Sequence, residues 1–452
     1  MLPRLSTRTK LIYGSGDLGF SLTLTIVGAY FAIFLTDVVG LQPGIAAAAI
    51  FIGRTWDYFN DPFMGHLSDR TRTRWGRRRP FLLFGALPFA LAFVLLWLRP
   101  AWESQAALAI YYAFAYVLFD TAATAVYMPY FALTPELTES YDERTSLTSY
   151  RMVYSILGSL VAFTIPLAIV GSFAPENAPR VLQMALIFAA VSAAPLLLVF
   201  FNTRERPETQ AASEFSLKAS LKAAARNRPF VFSAVMFLLT WVCVDILQAN
   251  LLFYLKYVIR RESEADSIMA AIFVTALLAL PLWNWASRKF NKRLAYVAGI
   301  AFWAVVQLAL ISLDASVPTE VVYVLCILAG IGVGAAHVLP WSIIPDAIEW
   351  DEWQTGKRHE GMFYSLVTLM QKVASSVASP LTLLVLQATG YVPNAAQQPL
   401  SAQTGIRLVI GPVPAVLLLV GIIFALRYPL SREKHAQVVA DLQARRAASQ
   451  EK

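Results

Sequence analysis

Gly53-Arg54-Thr55-Trp56-Asp57-Tyr58-Phe59-Asn60-Asp61-Pro62 lies within an otherwise apolar run, residues 44–68, and carries three charges where a membrane helix tolerates few. Wound as a helix, Arg54, Asp57 and Asp61 stand at i, i+3 and i+7 and share one face. An ionised side chain at the bilayer centre costs about 3 kcal/mol or more, so that face must turn to a bundle interior or a wet cavity. Two carboxylates one turn apart, with Asn60 and Thr55 beside them, offer the hard oxygen ligands that a small cation such as Na⁺ prefers. Like-charge repulsion could equally let the pair hold one proton at neutral pH, which suits H⁺ coupling. A structural alternative pairs Arg54 with Asp57 as a helix staple and leaves Asp61 to cap a neighbouring helix.

The rest of the chain explains why such a helix exists. Of 452 residues, 57% are hydrophobic and 15% charged, and the mean hydropathy is +0.56. A soluble protein of this length needs more polar surface than that. Continuous apolar runs of helix-spanning length recur at 11–37, 44–68, 81–98, 105–133, 147–170, 181–201, 229–256, 267–286, 294–313, 320–344, 361–388 and 407–427. Twelve spanning helices are therefore expected. Membrane strands are excluded, because barrel strands alternate in short segments and these runs do not. The first run is too long for a signal-peptide core and lacks a small-residue cleavage site, so it is read as retained.

The net charge of +8 follows membrane topology, not nucleic acid. Lys and Arg crowd the N-terminus, 70–79, 204–228, 288–293 and the tail and, with Arg144, Lys357 and Arg358, place 28 on one side of the predicted membrane against six in the opposite loops. By the positive-inside rule both termini are cytoplasmic, in a plasma (inner) membrane with contact to anionic lipid. Cys243 and Cys326 both fall inside predicted helices, which leaves no disulfide framework or metal-ligand spacing.

Organisation follows from the longest internal polar stretch, 202–228, which splits the spans six and six. It contains Pro207 and a short amphipathic piece, with Phe215, Leu217 and Leu221 set against Lys218 and Lys222, and reads as an interfacial cytoplasmic linker. A weak echo relates Met128-Pro129-Tyr130…Pro135-Glu136 to Leu339-Pro340-Trp341…Pro345-Asp346. The expected fold is an all-α membrane protein of major facilitator architecture, two pseudo-symmetric six-helix halves with a solute between them. The halves are 1–201 and 229–428, followed by a polar cytoplasmic tail at 429–452 that is expected to form a loose helix; the molecule is expected to act as a monomer.

Away from the span ends, three basic residues, Arg54, Arg151 and Lys372, and five acids, Asp17, Asp57, Asp61, Asp120 and Asp245, fall within predicted spans. Arg151 and Lys372 stand at equivalent positions of the fifth and eleventh spans if the halves are related. They are candidates to bind a solute or to exchange counter-ions during transport. Otherwise each pairs with a buried Asp, Asp120 being a candidate for Arg151. Asp17, within Gly14-Ser15-Gly16-Asp17, suits packing, gating or solute contact, and Asp245 with Gln248 and Asn250 forms a polar stripe on the seventh span. His337 is a cavity-lining or satisfied interhelical histidine. The run Asp69-Arg70-Thr71-Arg72-Thr73-Arg74-Trp75-Gly76-Arg77-Arg78-Arg79 suits a cytoplasmic latch in which Asp69, Arg70, Arg74 and Arg77 join Arg54 as gating residues. Its acidic partners would come from Glu136, Glu139, Asp142 and Glu143, or from Glu349, Asp351 and Glu352; simple retention of positive charge inside is the plainer purpose.

Trp56-Asp57…Asn60-Asp61-Pro62, continued by Arg70-Thr71-Arg72-Thr73-Arg74-Trp75-Gly76, resembles the glycoside–pentoside–hexuronide:cation symporter family, the melibiose permease-like carriers of the major facilitator superfamily. The resemblance covers nearly the whole chain. It implies a Na⁺, Li⁺ or H⁺ site at Asp57, Asp61 and Asn60, joined by Thr124 of the fourth span, and a central pocket with Arg151 and Lys372. Where galactoside carriers of that family grip the sugar with aspartates on helices one and four, Ser21 and Tyr127 stand here. Phe131 and His337 replace aromatic platform residues. The segments Val126–Thr134, Tyr150-Arg151-Met152 and Leu339-Pro340-Trp341-Ser342 also resemble the animal sodium-dependent lysophosphatidylcholine symporters. The resemblance thus implies a cation-coupled symporter for a sugar, glycoside or hexuronide, with a lysophospholipid or other amphiphile as the alternative cargo and a drug:proton antiporter as a rival within transport. No cofactor beyond the coupling ion is expected. The motifs of metallopeptidases, serine hydrolases and phosphate-binding loops are missing from suitable contexts, so an enzyme is not expected. A non-transporting sensor or scaffold would have no use for the buried carboxylates.

Overall fold

A computed structural model describes residues 5–138, 140–205, 217–356 and 359–450. Twelve long helices run in chain order: α1 Thr7–Ile33, α2 Pro43–Arg70, α3 Arg79–Trp97, α4 Gln105–Ala132, α5 Tyr141–Val170, α6 Ala178–Asn202, α7 Arg228–Tyr257, α8 Ala265–Lys289, α9 Lys292–Leu310, α10 Thr319–Thr355, α11 Glu360–Ala388 and α12 Leu400–Leu426. No strand occurs among the described residues beyond an isolated bridge between Thr73 and Gly76. Eleven of these helices are long and apolar enough to cross a membrane. The twelfth is α2, whose 28 residues reach about 42 Å at 1.5 Å per residue but which carries the charges of the opening motif. Large apolar side chains such as Phe59 (72% exposed), Leu278 (72%) and Ile110 (71%) point outward, a surface that only hydrocarbon can cover. The protein is a multi-pass membrane protein of the twelve-helix fold that the apolar runs predict.

The helix ends depart from the sequence reading in instructive places. Helix α1 continues through a π-helical turn, Phe34–Val39, and stops at Gly40, whose φ is +87°. Helix α10 passes Pro340 and Pro345 and runs to Thr355, well beyond residue 344. Internal prolines are tolerated in membrane helices because neighbouring groups re-satisfy the backbone they free. Helix α12 begins at Leu400, not 407, and is interrupted at Gly411-Pro412.

The chain divides into two compact units, one of residues Met1–Ala212, Leu251–Ala270 and Ser379–Gln403, the other of Ser213–Asn250, Ala271–Ala378 and Thr404–Lys452. In the first, α1 packs along α5, α2 along α4, and α3 against α4 and α6. In the second, α9 packs against α10 and α12. Of the predicted linker, 206–216 lie outside the described residues, Phe215 among them; Leu217–Arg226 forms a short helix whose Ala224 packs with Phe230 and Phe363. Glu139, Lys357 and Arg358 also lie outside the described residues.

The tail corrects one expectation. It is not loose: Arg432–Gln450 is a helix docked on the end of α10. Val438 and Leu442 are buried, Trp353 Nε1 donates to Asp441 Oδ2 at 3.0 Å, and the Lys434 ammonium lies 4.7 Å from the Trp350 ring centre. His435 Nε2 sits 2.6 Å from Glu349 Oε2 and 3.6 Å from Asp346 Oδ1, which also holds Lys292 Nζ at 2.5 Å. The hydrogen bond that His435 donates to Glu349 raises its pKa above the ordinary 6.5, with burial and Lys292 opposing and Asp346 helping. A raised pKa stabilises docking fully below about pH 6.5, and that contribution is lost as the pH climbs through the raised value. Measured relative to an unstructured control peptide at each pH, trypsin should therefore cut the tail faster at pH 8 than at pH 6, and His435→Gln should abolish the difference; equal relative cleavage of the wild type at both pH values would refute a contribution of His435 to docking.

Candidate functional site

Helices α2 and α4 come unusually close because residue 53 is glycine. A Cβ built there would sit 2.6 Å from Tyr116 Cβ, so any side chain must push the two helices apart. Gly53→Ala should cost about 1–3 kcal/mol of stability by overpacking, read as a lowered melting temperature of the purified protein. An unchanged melting temperature would mean that α2 and α4 are not so closely apposed.

Across this interface the predicted cation residues meet. Thr124 Oγ1 of α4 lies 3.4 Å from Asp57 Oδ1 and 3.4 Å from Asp61 Oδ1, so one hydroxyl is shared by both carboxylates. Thr124 is buried, and the two aspartates are half-buried. Asn60 is also buried, and its Nδ2 donates to α4 at the Asp120 carbonyl (3.3 Å) and at Asp120 Oδ2 (3.4 Å). Trp56 Nε1 donates to Thr121 Oγ1 at 2.9 Å, while Thr55 turns back to its own helix at the Phe51 carbonyl, 2.7 Å away. The arrangement gathers carboxylate, hydroxyl and amide groups from two helices at one place, a donor set that fits a small hard cation.

The solute candidates in the same unit lie on α1, α4 and α5. Arg151 is not paired with Asp120, the partner the sequence suggested. Asp120 belongs to the α2 cluster, and Arg151 Nε donates to Asp17 Oδ2 at 3.0 Å, the two acids lying on different helices. Its guanidinium also lies 4.4 Å from the Phe131 ring centre and 5.4 Å from that of Tyr130, within cation–π range. Phe20 joins Tyr127 and Phe131 in an aromatic cluster with centroids 4.6 and 5.1 Å away. Ser21 Oγ meets Ser155 Oγ at 2.5 Å.

The remaining candidates belong to the second unit. His337 Nδ1 bonds the Val333 carbonyl at 2.9 Å while its ring packs on Trp241, 5.2 Å between centroids. Asp245 Oδ2 accepts from Ser375 Oγ at 2.6 Å, one turn along α11 from the half-buried Lys372.

The basic loop is tied into its own unit. Glu136 Oε1 receives Arg77 Nη2 at 2.6 Å and Arg78 Nε at 3.2 Å, and Arg78 also pairs with Asp69. Glu205, which the sequence reading passed over, accepts the backbone N–H groups of Arg77, Arg78 and Arg79 at 2.6, 2.8 and 2.7 Å. It thereby caps α3. Gly76, at φ +105°, makes room for it, since a Cβ there would sit 2.6 Å from Glu205 Oε1. Arg70 and Arg74 are exposed, the latter stacked on Trp75 at 4.3 Å. Among the other acids named as latch partners, Glu143 holds Lys10 at 3.0 Å, Glu349 holds His435 and Asp351 holds His359 at 2.8 Å.

One charged cluster escaped the sequence altogether. Asp37, in the π-helical turn, is 1% exposed. Its Oδ2 accepts from Lys256 Nζ at 2.7 Å and from the Tyr257 hydroxyl, and its Oδ1 from the Tyr391 hydroxyl at 2.5 Å. Asn394 Nδ2 donates to its carbonyl at 2.6 Å, and Lys256 also reaches the Phe173 carbonyl at 2.6 Å. Asp37 is the last residue of the first apolar run, 11–37, and drew no reading from the sequence. Only its partners, more than 200 positions away in sequence, make it a buried hub.

Comparison with known proteins places the chain. A family model described as MFS/sugar transport protein matches residues 12–432. An uncharacterised symporter of Synechocystis sp. is 30% identical, over 98% of this chain and 97% of its own length. The sodium-dependent lysophosphatidylcholine symporter 1-A of Danio rerio is 29% identical over 95% and 87%, and the isoprimeverose transporter of Lactiplantibacillus pentosus 30% identical over 86% and 81%. Among solved structures the nucleoside transporter NupG shares the fold at a TM-score of 0.62 and 13% identity, covering 92% of this chain and 98% of that one. On the family model that spans residues 12–432 and the near full-length relatives, this chain belongs to the MFS/sugar transport protein family, and the Synechocystis and Danio rerio relatives are symporters.

Proposed function

We propose that the protein is a cation-coupled symporter working by alternating access, in which the coupling ion binds Asp57, Asp61, Asn60 and Thr124. The observation that carries this reading is the Thr124 hydroxyl shared between two carboxylates on a neighbouring membrane helix. An ion seated there would neutralise the Asp57–Asp61 repulsion, so that its binding changes how α2 and α4 pack and is felt by a solute on the adjoining helices. The Asp37 cluster would be the closed gate on the outer side, and the docked tail and capped α3 the cytoplasmic reinforcement. Both termini then lie in the cytoplasm, in the inner membrane of the cell.

The cargo we infer is a neutral sugar or glycoside. Arg151 already has its counter-charge in Asp17, which leaves little call for a hexuronide carboxylate, and the Phe20, Tyr127 and Phe131 rings suit the apolar face of a sugar ring. A lysophospholipid is the second reading, favoured by the near full-length similarity to the Danio rerio symporter. A thermal-shift screen of glycosides, hexuronides and lysophosphatidylcholine, each with and without Na⁺, separates them. Stabilisation by a glycoside that grows with Na⁺ is expected, and stabilisation by the lysolipid alone would overturn the sugar reading.

A further inference from the structure

We propose that Asp120 is a positioning residue for the cation site: it holds the Asn60 amide by its NH₂ end, so that only the carbonyl oxygen is left for the ion. This rests on the assignment of the site to Asp57, Asp61, Asn60 and Thr124. An asparagine amide has a donor end and an acceptor end, and only the acceptor end can coordinate a cation. Beside two aspartates the default is the wrong one, because a free NH₂ group would donate to the carboxylates and fill the site with an internal hydrogen bond. Asp120 removes that option. Its backbone carbonyl and its Oδ2 both lie within hydrogen-bond distance of Asn60 Nδ2, at 3.3 and 3.4 Å, and Asn60 is buried at 3% exposure. Asp120 is half-buried on α4, one helical turn from Thr124, the residue that bridges the two aspartates. One helix therefore supplies both a hydroxyl to the carboxylates and the clamp on the amide.

The arrangement also bears on which ion is used. A proton needs only a carboxylate, whereas Na⁺ needs a shell of several oxygens. Orienting an amide oxygen has value only for a metal cation. The Asp120–Asn60 contact is thus a determinant of Na⁺ over H⁺, and its loss should weaken Na⁺ binding while sparing protonation of the aspartates.

The test uses the intact purified protein and Na⁺ alone as ligand, titrated by calorimetry at pH 6 and pH 8. Asp120→Asn keeps the side-chain acceptor oxygen and loses the charge; Asp120→Ala loses the side-chain acceptor as well and leaves the amide only the backbone carbonyl. Positioning predicts Na⁺ binding about two- to tenfold weaker in the alanine than in the asparagine variant, the effect of losing one of the two acceptors that hold the amide. It also predicts no further loss when Asp120→Ala is added to Asn60→Ala, since the group being oriented is already gone. Should Asp120→Ala not fold, Asp120→Ser takes its place, its shorter side chain being unable to reach Asn60. Equal Na⁺ affinity in the asparagine and the truncated variants, or full additivity with Asn60→Ala, would overturn the proposal. Asp57→Ala separates this from the reading beneath it: if Na⁺ binds that variant as it binds the wild type, the cation site itself is misassigned.

Discussion

Asp57→Asn and Asp61→Asn are each expected to abolish gradient-driven accumulation of solute while leaving a folded protein in the membrane. Both substitutions keep the shape of the side chain and remove one negative charge from a pair that shares the Thr124 hydroxyl. A contact to a charged group contributes about 1.5–3 kcal/mol, which is roughly a 10- to 100-fold loss of ion affinity for each carboxylate neutralised. Because the pair has then lost the repulsion that an ion relieves, solute affinity in the variants should no longer respond to Na⁺. Thr124→Val, which keeps the volume and removes the hydroxyl, should weaken the ion less than either aspartate change, because it deletes a neutral ligand. Solute binding measured with and without Na⁺ checks the set. A variant at Asp57 or Asp61 in which Na⁺ still sharpens solute binding as in the wild type would dismiss that residue from the site.

The second large effect is expected at Arg151. Asp17 is 3% exposed and its side chain is matched by the Arg151 guanidinium at 3.0 Å. Removing one member of a buried pair leaves the other charge uncompensated and costs about 3–5 kcal/mol. Arg151→Gln should accordingly lower the melting temperature sharply and reduce the amount of protein recovered from the membrane. Asp17→Asn combined with Arg151→Gln removes both charges and should restore most of that stability. Transport should not recover with it, because the guanidinium that faces Phe131 and Tyr130 is still missing. If the double variant transports as well as the wild type, the pair is a staple and nothing more. If the single variant is as stable as the wild type, the Asp17–Arg151 contact is not the buried pair described here.

Much of the architecture could be read from hydropathy, since membrane helices must satisfy their own backbone and announce themselves as continuous apolar runs. The cation candidates were legible for the same reason. Asp57 and Asp61 are costly where they stand, and helical periodicity puts them on one face. What the sequence could not supply was pairing across helices. Asp120 and Arg151 both read as charges in spans, but nothing in their spacing says that one reaches Asn60 on α2 and the other Asp17 on α1. Glu205 looked like one more linker residue until three backbone N–H groups at the start of α3 converged on it. The helix of the tail was legible but its docking was not, because its polar composition hides the narrow apolar edge, Val438 and Leu442, that seats it on α10.

Counterparts of Asp57 and Asp61 could persist in a carrier that merely equilibrates its solute, so coupling itself is the claim to test. The direct measurement is uptake of a labelled glycoside into proteoliposomes of the purified protein, with an inward Na⁺ gradient imposed at equal pH on both sides. A symporter concentrates the glycoside inside above the external level, and the accumulation collapses when a Na⁺ ionophore dissipates the gradient or when Asp57→Asn replaces the wild type. Uptake that stops at the external concentration whatever the Na⁺ gradient, or accumulation that survives in the Asp57→Asn protein, would contradict the account.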